Sequence, residues 1–125
     1  MAACVDVFVY GTLMDENFLY SLTRCRFLRS EAELAGFERV SPSNGYPYIV
    51  PNPNRVVGGL VLFNVDASSL AIFDDYEEEG VLYHRRSLEV MVGERRLPCE
   101  VYVGDVAALT RHFPTPTSSP ALLNS

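Results

Sequence analysis

No lysine occurs anywhere in the 125 residues; all ten basic side chains are arginine. Codon bias is the plainest source of that gap, but its chemical effect is the same whatever the source. A chain without lysine forms no Schiff base, has no phosphate-loop lysine and builds no Ser-Lys dyad. Cysteine is almost as scarce, with Cys4, Cys25 and Cys99 widely spaced and no C-x-x-C pair. With His84 and His112 as the only histidines, no metal site is expected. An odd cysteine count reads as free or buried thiols in a reducing compartment. Positive charge is also short: the formal net charge is −6, which repels phosphate backbones and predicts no nucleic-acid partner. Long apolar runs are missing too. The opening "MAACVDVFVYGTL" has neither a basic leader nor an extended apolar core, so no signal peptide, no membrane association and a cytoplasmic location are expected. There is no G-x-S-x-G, and neither histidine has an evident serine or cysteine partner, which leaves nucleophilic hydrolysis poorly supported.

What is present suits one globular domain. Hydrophobic residues make up 48% of the chain, and folding a chain of this size buries roughly two-thirds of its surface. "VDVFVY" reads as a buried strand over residues 5 to 10, stopped by Gly11. "DENFLYSLTR" has helical spacing at Phe18, Leu19 and Leu22, with Asp15 as N-cap. Residues 27 to 34 alternate as a half-exposed strand, with a bulge possible at Gly36. "SPSNGYPYIVPNPN" reads as a loop carrying a short strand, "YIV", and "VVGGLVLFNV" as an interior strand whose glycines imply a bend or a close approach. "DASSLAIFDDYEEEG" is helical, capped by Asp66 or Ser68, faced by Leu70, Ile72, Phe73 and Tyr76, and ended by Gly80. Two β-rich runs joined at "GER" form a hairpin, and "PTPTSSPALLNS" reads as an irregular tail. The order predicts an α+β domain over residues 1–113, with a tail over 114–125. Its sheet is mixed and mostly antiparallel, and closure into a small barrel is open to it.

Three stretches could carry chemistry. "YGTL" follows a buried strand, where glycine lets a ligand approach the backbone, and the N–H groups of Gly11, Thr12 and Leu13 would suit an anion; an ordinary strand-to-helix turn reads the same way. "FDDYEEEG" holds five carboxylates between Asp74 and Glu79, which is usually a wet helix face. Helical spacing nevertheless sets Glu77 beside Phe73 and Tyr76. A carboxylate turned inward there would have a raised pKa and serve as acid and base near neutrality. In "YHRR", Tyr83 and Arg85 share one strand face and His84 and Arg86 the other, with His84 read as a surface residue. Tyr46 and Tyr48, set among prolines, fit either a stiff lid or a packed loop.

Taken in order, "VFVYGTL", "GYPYIVP", "VVGGLVLFNV", "FDDYEEEGVLYHRR" and "CEVYVGD" resemble the gamma-glutamylcyclotransferase-like family, including its gamma-glutamylamine cyclotransferase branch, over roughly residues 5 to 105. The resemblance implies a small mixed β-barrel flanked by helices, with a pocket at one end. It implies that Tyr10, Gly11, Thr12 and Leu13 bind the polar end of a γ-glutamyl group, that Tyr46, Pro47, Tyr83 and Arg85 complete the substrate site, and that Glu77 is the catalytic carboxylate. Phe73 stands where the family often has leucine, and a one-residue shift of register would move the role to Glu78. The implied reaction needs no metal or cofactor: the substrate's α-amine attacks its own γ-carbonyl, releasing 5-oxoproline and an amine or amino acid. Holding the two groups together supplies several kcal/mol. The expected partner is a small γ-glutamyl molecule, bound by a monomer or weak homodimer. A non-catalytic module binding γ-glutamyl compounds or small carboxylates is the alternative, and an interaction domain using the tail a third.

Overall fold

The computed structural model describes residues 4–43 and 45–112; the expected tail lies outside them. β1 (Val5–Val9), β2 (Arg29–Val40), β3 (Tyr48–Val65), β4 (Tyr83–Val92) and β5 (Arg95–Gly104) close into a barrel in the order β1-β3-β2-β4-β5. Neighbours are antiparallel except β1 and β5, which run parallel through Val7↔Glu100 and Phe8↔Val101. On the opposite side the barrel closes through a single β2–β4 pair, Glu33↔Met91. α1 (Glu16–Thr23), α2 (Ala67–Glu77) and α3 (Val106–His112) flank it. The expected small mixed barrel with helices is therefore the architecture found.

The apolar run from Val7 to Tyr10, in β1 and its exit, has two burial partners. Phe8 and Tyr10 point with Leu34, Ile49, Val61 and Val101 into a cluster drawn from strands and the adjoining turn alone, which is the barrel interior. Val7 and Val9 point the other way, against Leu13, Leu19, Phe73 and Leu109 of the surrounding helices and turns. A strand covered on both faces has no polar face to alternate. Fully buried side chains such as Phe8, Ile49, Val61 and Phe73 each stabilise the fold by about 1.5–3 kcal/mol.

The expected "YIV" strand and the expected "VVGGLVLFNV" strand are one strand of 18 residues. Its prolines are accommodated by a break of register. Ala35 pairs with Val56 and Phe37 with Pro51, so residues 52–55 stand opposite the single residue Gly36. Pro53 thus falls where no ladder N–H is required, and Asn52 fastens the bulge by donating to Glu38 Oε1 at 2.9 Å. Gly36, at φ +87°, is the expected bulge. Gly59 meets the expected close approach: a Cβ there would stand 2.3 Å from the Val9 carbonyl oxygen.

The helix starts match the sequence and one helix end does not. The Asp15 carboxylate accepts from the N–H groups of Asn17 and Phe18, and that of Asp66 from Ser69. α2 stops at Glu77, not at Gly80, because Glu78 adopts the left-handed conformation (φ 54°). The Glu79 N–H then returns to the Asp74 carbonyl at 2.9 Å, an end that satisfies the last carbonyls without glycine. The buried positions of α2 are Ser69 and Phe73, whereas Tyr76 is exposed at its edge. α3, begun by Asp105 accepting from the Ala108 N–H at 3.0 Å, had no counterpart in the sequence reading.

Candidate active site

At one end of the barrel, β1 runs out through Tyr10 into a 3-10 turn, Thr12–Met14. Met14 N–H donates to the Gly11 carbonyl at 3.0 Å and Asp15 N–H to that of Thr12 at 3.1 Å. This turn, the last residues of α2, the start of β4 and the loop before β3 surround a cavity whose walls are mainly apolar and aromatic side chains with a few polar groups among them, the character of a small-molecule site. Of the residues singled out from the sequence, Tyr10, Gly11, Thr12, Leu13, Tyr46, Pro47, Glu77 and Tyr83 line it.

Hydrogen bonds fix three of these walls. The Tyr10 hydroxyl donates to the Tyr102 carbonyl, tying β1 to β5. The Tyr83 hydroxyl donates to the Pro47 carbonyl at 2.8 Å, holding the Tyr46–Pro47 loop against the barrel. Thr12 Oγ1 and the Tyr76 hydroxyl meet at 2.7 Å, joining the turn to α2, and Phe18 packs edge-on to Tyr76 at 5.3 Å. Gly11 has φ −127°, so no left-handed angle demands glycine there. A Cβ would stand 3.5 Å from Pro47 Cγ, in ordinary contact, and would narrow the cavity between turn and loop.

Glu77 is half-buried and its neighbour Glu78 is exposed; it is Glu77 that reaches the cavity. Burial pushes its carboxyl from the ordinary 4.5 up to about 7. The hydroxyls of Tyr10 and Tyr83 are raised by burial first and by the Glu77 charge second. Tyr102 is raised by burial and by its hydrogen bond to Asp74. The group is thus a set of neutral phenols around one carboxyl that gains and loses its proton near neutrality, the property required of a general base that must return the proton.

Arg85 does not line the cavity. It sits in β4 opposite Tyr102, with Nε 3.1 Å from Asp74 Oδ1 and Nη1 3.0 Å from Glu100 Oε1. His84 is at the surface with Nε2 2.9 Å from Asp105 Oδ2. Tyr48, which the sequence left open between a lid and a packed loop, packs on Gly104, where an added Cβ would stand 2.7 Å from the Tyr48 Cβ. The sequence reading did not name Tyr76, Leu82 and Tyr102 as lining residues. The only signal for Tyr102 was its alternation with Val101 and Val103 in β5, which turns it to the other face of the strand. All three cysteines are free thiols, with Cys99 buried. Among the described residues, no helix is long and apolar enough to cross a membrane.

Residues 7–118 match the family described as Gamma-glutamyl cyclotransferase, AIG2-like. The chain is 34% identical over 104 residues to AIG2-like protein C of Arabidopsis thaliana, covering 81% of this chain and 59% of that one. It is 29% identical over 102 residues to Gamma-glutamylaminecyclotransferase A of Danio rerio, covering 73% and 62% respectively. It therefore spans less than two thirds of the length of either relative. A solution structure of an Arabidopsis thaliana protein superposes with a TM-score of 0.74 at 27% identity, over 82% of this chain and 70% of the other.

Proposed function

The chain belongs to the gamma-glutamyl cyclotransferase, AIG2-like family, and from that premise we propose that it cyclises small γ-glutamyl compounds, with Glu77 as the proton carrier. The observation that carries this reading is the half-buried Glu77 carboxyl, raised to about 7, in a cavity floored by the Gly11–Leu13 turn.

The reaction is an isomer balance: one γ-glutamyl amide gives 5-oxoproline and one amine, and no water is consumed. Glu77, ionised, takes a proton from the substrate's α-ammonium. The freed amine forms a C–N bond to the γ-carbonyl carbon, closing a five-membered ring. The old C–N bond then breaks as Glu77 returns its proton to the departing nitrogen, and the released amine carries off the second proton that the ring nitrogen sheds, leaving as its ammonium. A carboxyl with a proton affinity near neutrality serves both halves, and the nucleophile is the substrate's own, so no serine or cysteine is required. The N–H groups of Gly11, Thr12 and Leu13 hold the α-carboxylate or face the charge that develops on the carbonyl oxygen. Tyr46 and Pro47 flank the departing amine. Among the described residues no arginine lines the cavity, so recognition of the substrate carboxylate falls to backbone and phenol donors.

The test is production of 5-oxoproline by purified protein from a panel of γ-glutamyl amino acids and γ-glutamyl amines. Turnover that vanishes in Glu77→Gln supports the proposal. No product from any member, or full activity in Glu77→Gln, overturns it. Thermal stabilisation by a γ-glutamyl compound without product would favour a binding module instead.

A further inference from the structure

Arg85 is charged, three-quarters buried and outside the cavity, yet through Asp74 its contacts lead back to it. Its Nε stands 3.1 Å from Asp74 Oδ1, the same oxygen that accepts from the Tyr102 hydroxyl at 2.6 Å. Its Nη1 donates to Glu100 Oε1 at 3.0 Å, and Glu100 Oε2 accepts from Ser87 Oγ at 2.6 Å. Its main-chain N–H donates to Glu79 Oε2 at 3.3 Å. Asp74 lies one helical turn before Glu77 on α2, and Tyr102 lines the cavity from β5. The Arg85 guanidinium therefore ties the last turn of α2 to β5, and its main-chain N–H holds the loop after α2, in a single polar unit whose inner end is the Tyr102 ring.

We propose that Arg85 is a positioning residue, which acts through Asp74 to aim the Tyr102 hydroxyl away from the cavity and to hold the Glu77 turn, and that it does not bind substrate. The proposal rests on the reading of Glu77 as the proton carrier. A phenol donates one hydrogen bond, and Tyr102 gives its own to Asp74. If it donated to Glu77 instead, it would favour the ionised form and occupy a lone pair needed for the substrate's proton. Asp74 can keep that donor only while its charge is compensated, since a half-buried carboxylate with its cation removed is strongly destabilised. Arg85 is suited to the task because its planar fork reaches Asp74 and Glu100 at once, a geometry that a lysine ammonium lacks.

The experiment compares Arg85→Gln, Arg85→Lys, Tyr102→Phe and the double variant Arg85→Gln/Tyr102→Phe by steady-state 5-oxoproline release. A positioning role predicts kcat reduced about tenfold or more in Arg85→Gln with KM within about twofold, because the lost interaction is absent from substrate binding. Arg85→Lys recovers only part of kcat. The double variant is no slower than the slower single variant, since both changes break one chain of contacts. A raised KM with kcat retained, or losses that multiply in the double variant, overturns the proposal. A second readout needs no turnover. With 13C at the tyrosine Cζ, the Tyr102 signal, identified by its loss in Tyr102→Phe, shifts in Arg85→Gln while that of Tyr20 on α1 does not. An unmoved Tyr102 signal overturns the proposal even if the wild-type chain forms no 5-oxoproline. Absence of product in the wild type alone counts against the proposed activity.

Discussion

Replacing Glu77 by glutamine is expected to make the protein more stable while abolishing turnover, and the size and pH range of the gain follow from the site. The carboxyl moves from the ordinary 4.5 in the unfolded chain to about 7 in the folded one, because burial disfavours the charged form. At roughly 1.4 kcal/mol per tenfold change in proton affinity, that interval amounts to about 3 kcal/mol. The sign is the reverse of the usual carboxylate. Between the two values the folded state binds more protons than the unfolded state, so stability falls as pH rises from 4.5 towards 7 and is flat above. Below 4.5 both states carry the proton, and the wild type bears no penalty. Glutamine keeps the shape and never ionises. Glu77→Gln should therefore equal the wild type near pH 4 and exceed it by on the order of 3 kcal/mol at pH 8, a rise in Tm of roughly 10 °C for a domain of this size. Urea unfolding of both chains at several pH values measures the difference directly, and the other carboxylates cancel in the comparison. An equal difference at pH 4 and pH 8, or a glutamine variant less stable at pH 8, would refute the reasoning that burial alone raises this group.

The ionised fraction of a carboxyl at about 7 rises about tenfold between pH 6 and pH 8, so kcat/KM for 5-oxoproline release should climb by about that factor on a single acid limb. Gly59→Ala would set a Cβ 2.3 Å from the Val9 carbonyl oxygen and 2.8 Å from Phe8 Cζ; a loss of about 3 kcal/mol or failure to fold is expected by thermal unfolding, at the severe end of overpacking. Asp15→Ala removes the acceptor for the Asn17 and Phe18 N–H groups and should cost about 1 kcal/mol in urea unfolding, with kcat little changed.

Local signals were legible where one residue type carries one physical meaning. Asp15 was readable as a cap, Asp66 as one of two candidates with Ser68, Gly36 as a position where a bulge could form and the Gly58–Gly59 pair as a bend or a close approach, because each depends only on its own backbone and immediate partners. The helical period sets Glu77 beside Phe73 but left it open against a wet helix face, and the family resemblance singled it out. The run of 18 residues in β3 was not, since Pro51 and Pro53 argue against a strand until the unequal register opposite Gly36 is known. The end of α2 was misplaced for a related reason: a left-handed glutamate was less expected than the glycine two residues on. Tyr102 and the true position of Arg85 depend on the neighbours of β5 around the barrel, which no spacing along the chain encodes. The "Y-x-R" spacing puts both side chains on one face of β4, but the second of them sits opposite Tyr102 of β5 and reaches Asp74 and Glu100 instead of the cavity.

The parallel closure of β1 on β5 has a consequence for how the protein comes into being. Tyr10 and the carbonyl of Tyr102, which bond across the cavity wall, are separated by 92 positions in the chain. During synthesis the Gly11–Leu13 rim emerges early, and the strand that seals it arrives only when nearly all of the barrel has been made. Such long-range pairing is slow because a large loop must close before any contact rewards it. An intermediate that stops just short of β5 has the Gly11–Leu13 turn and Glu77 but lacks the Tyr102 wall of the cavity. Cleaved between β3 and β4, the chain would regain its cavity only when both fragments meet, which makes the pocket a reporter of their association.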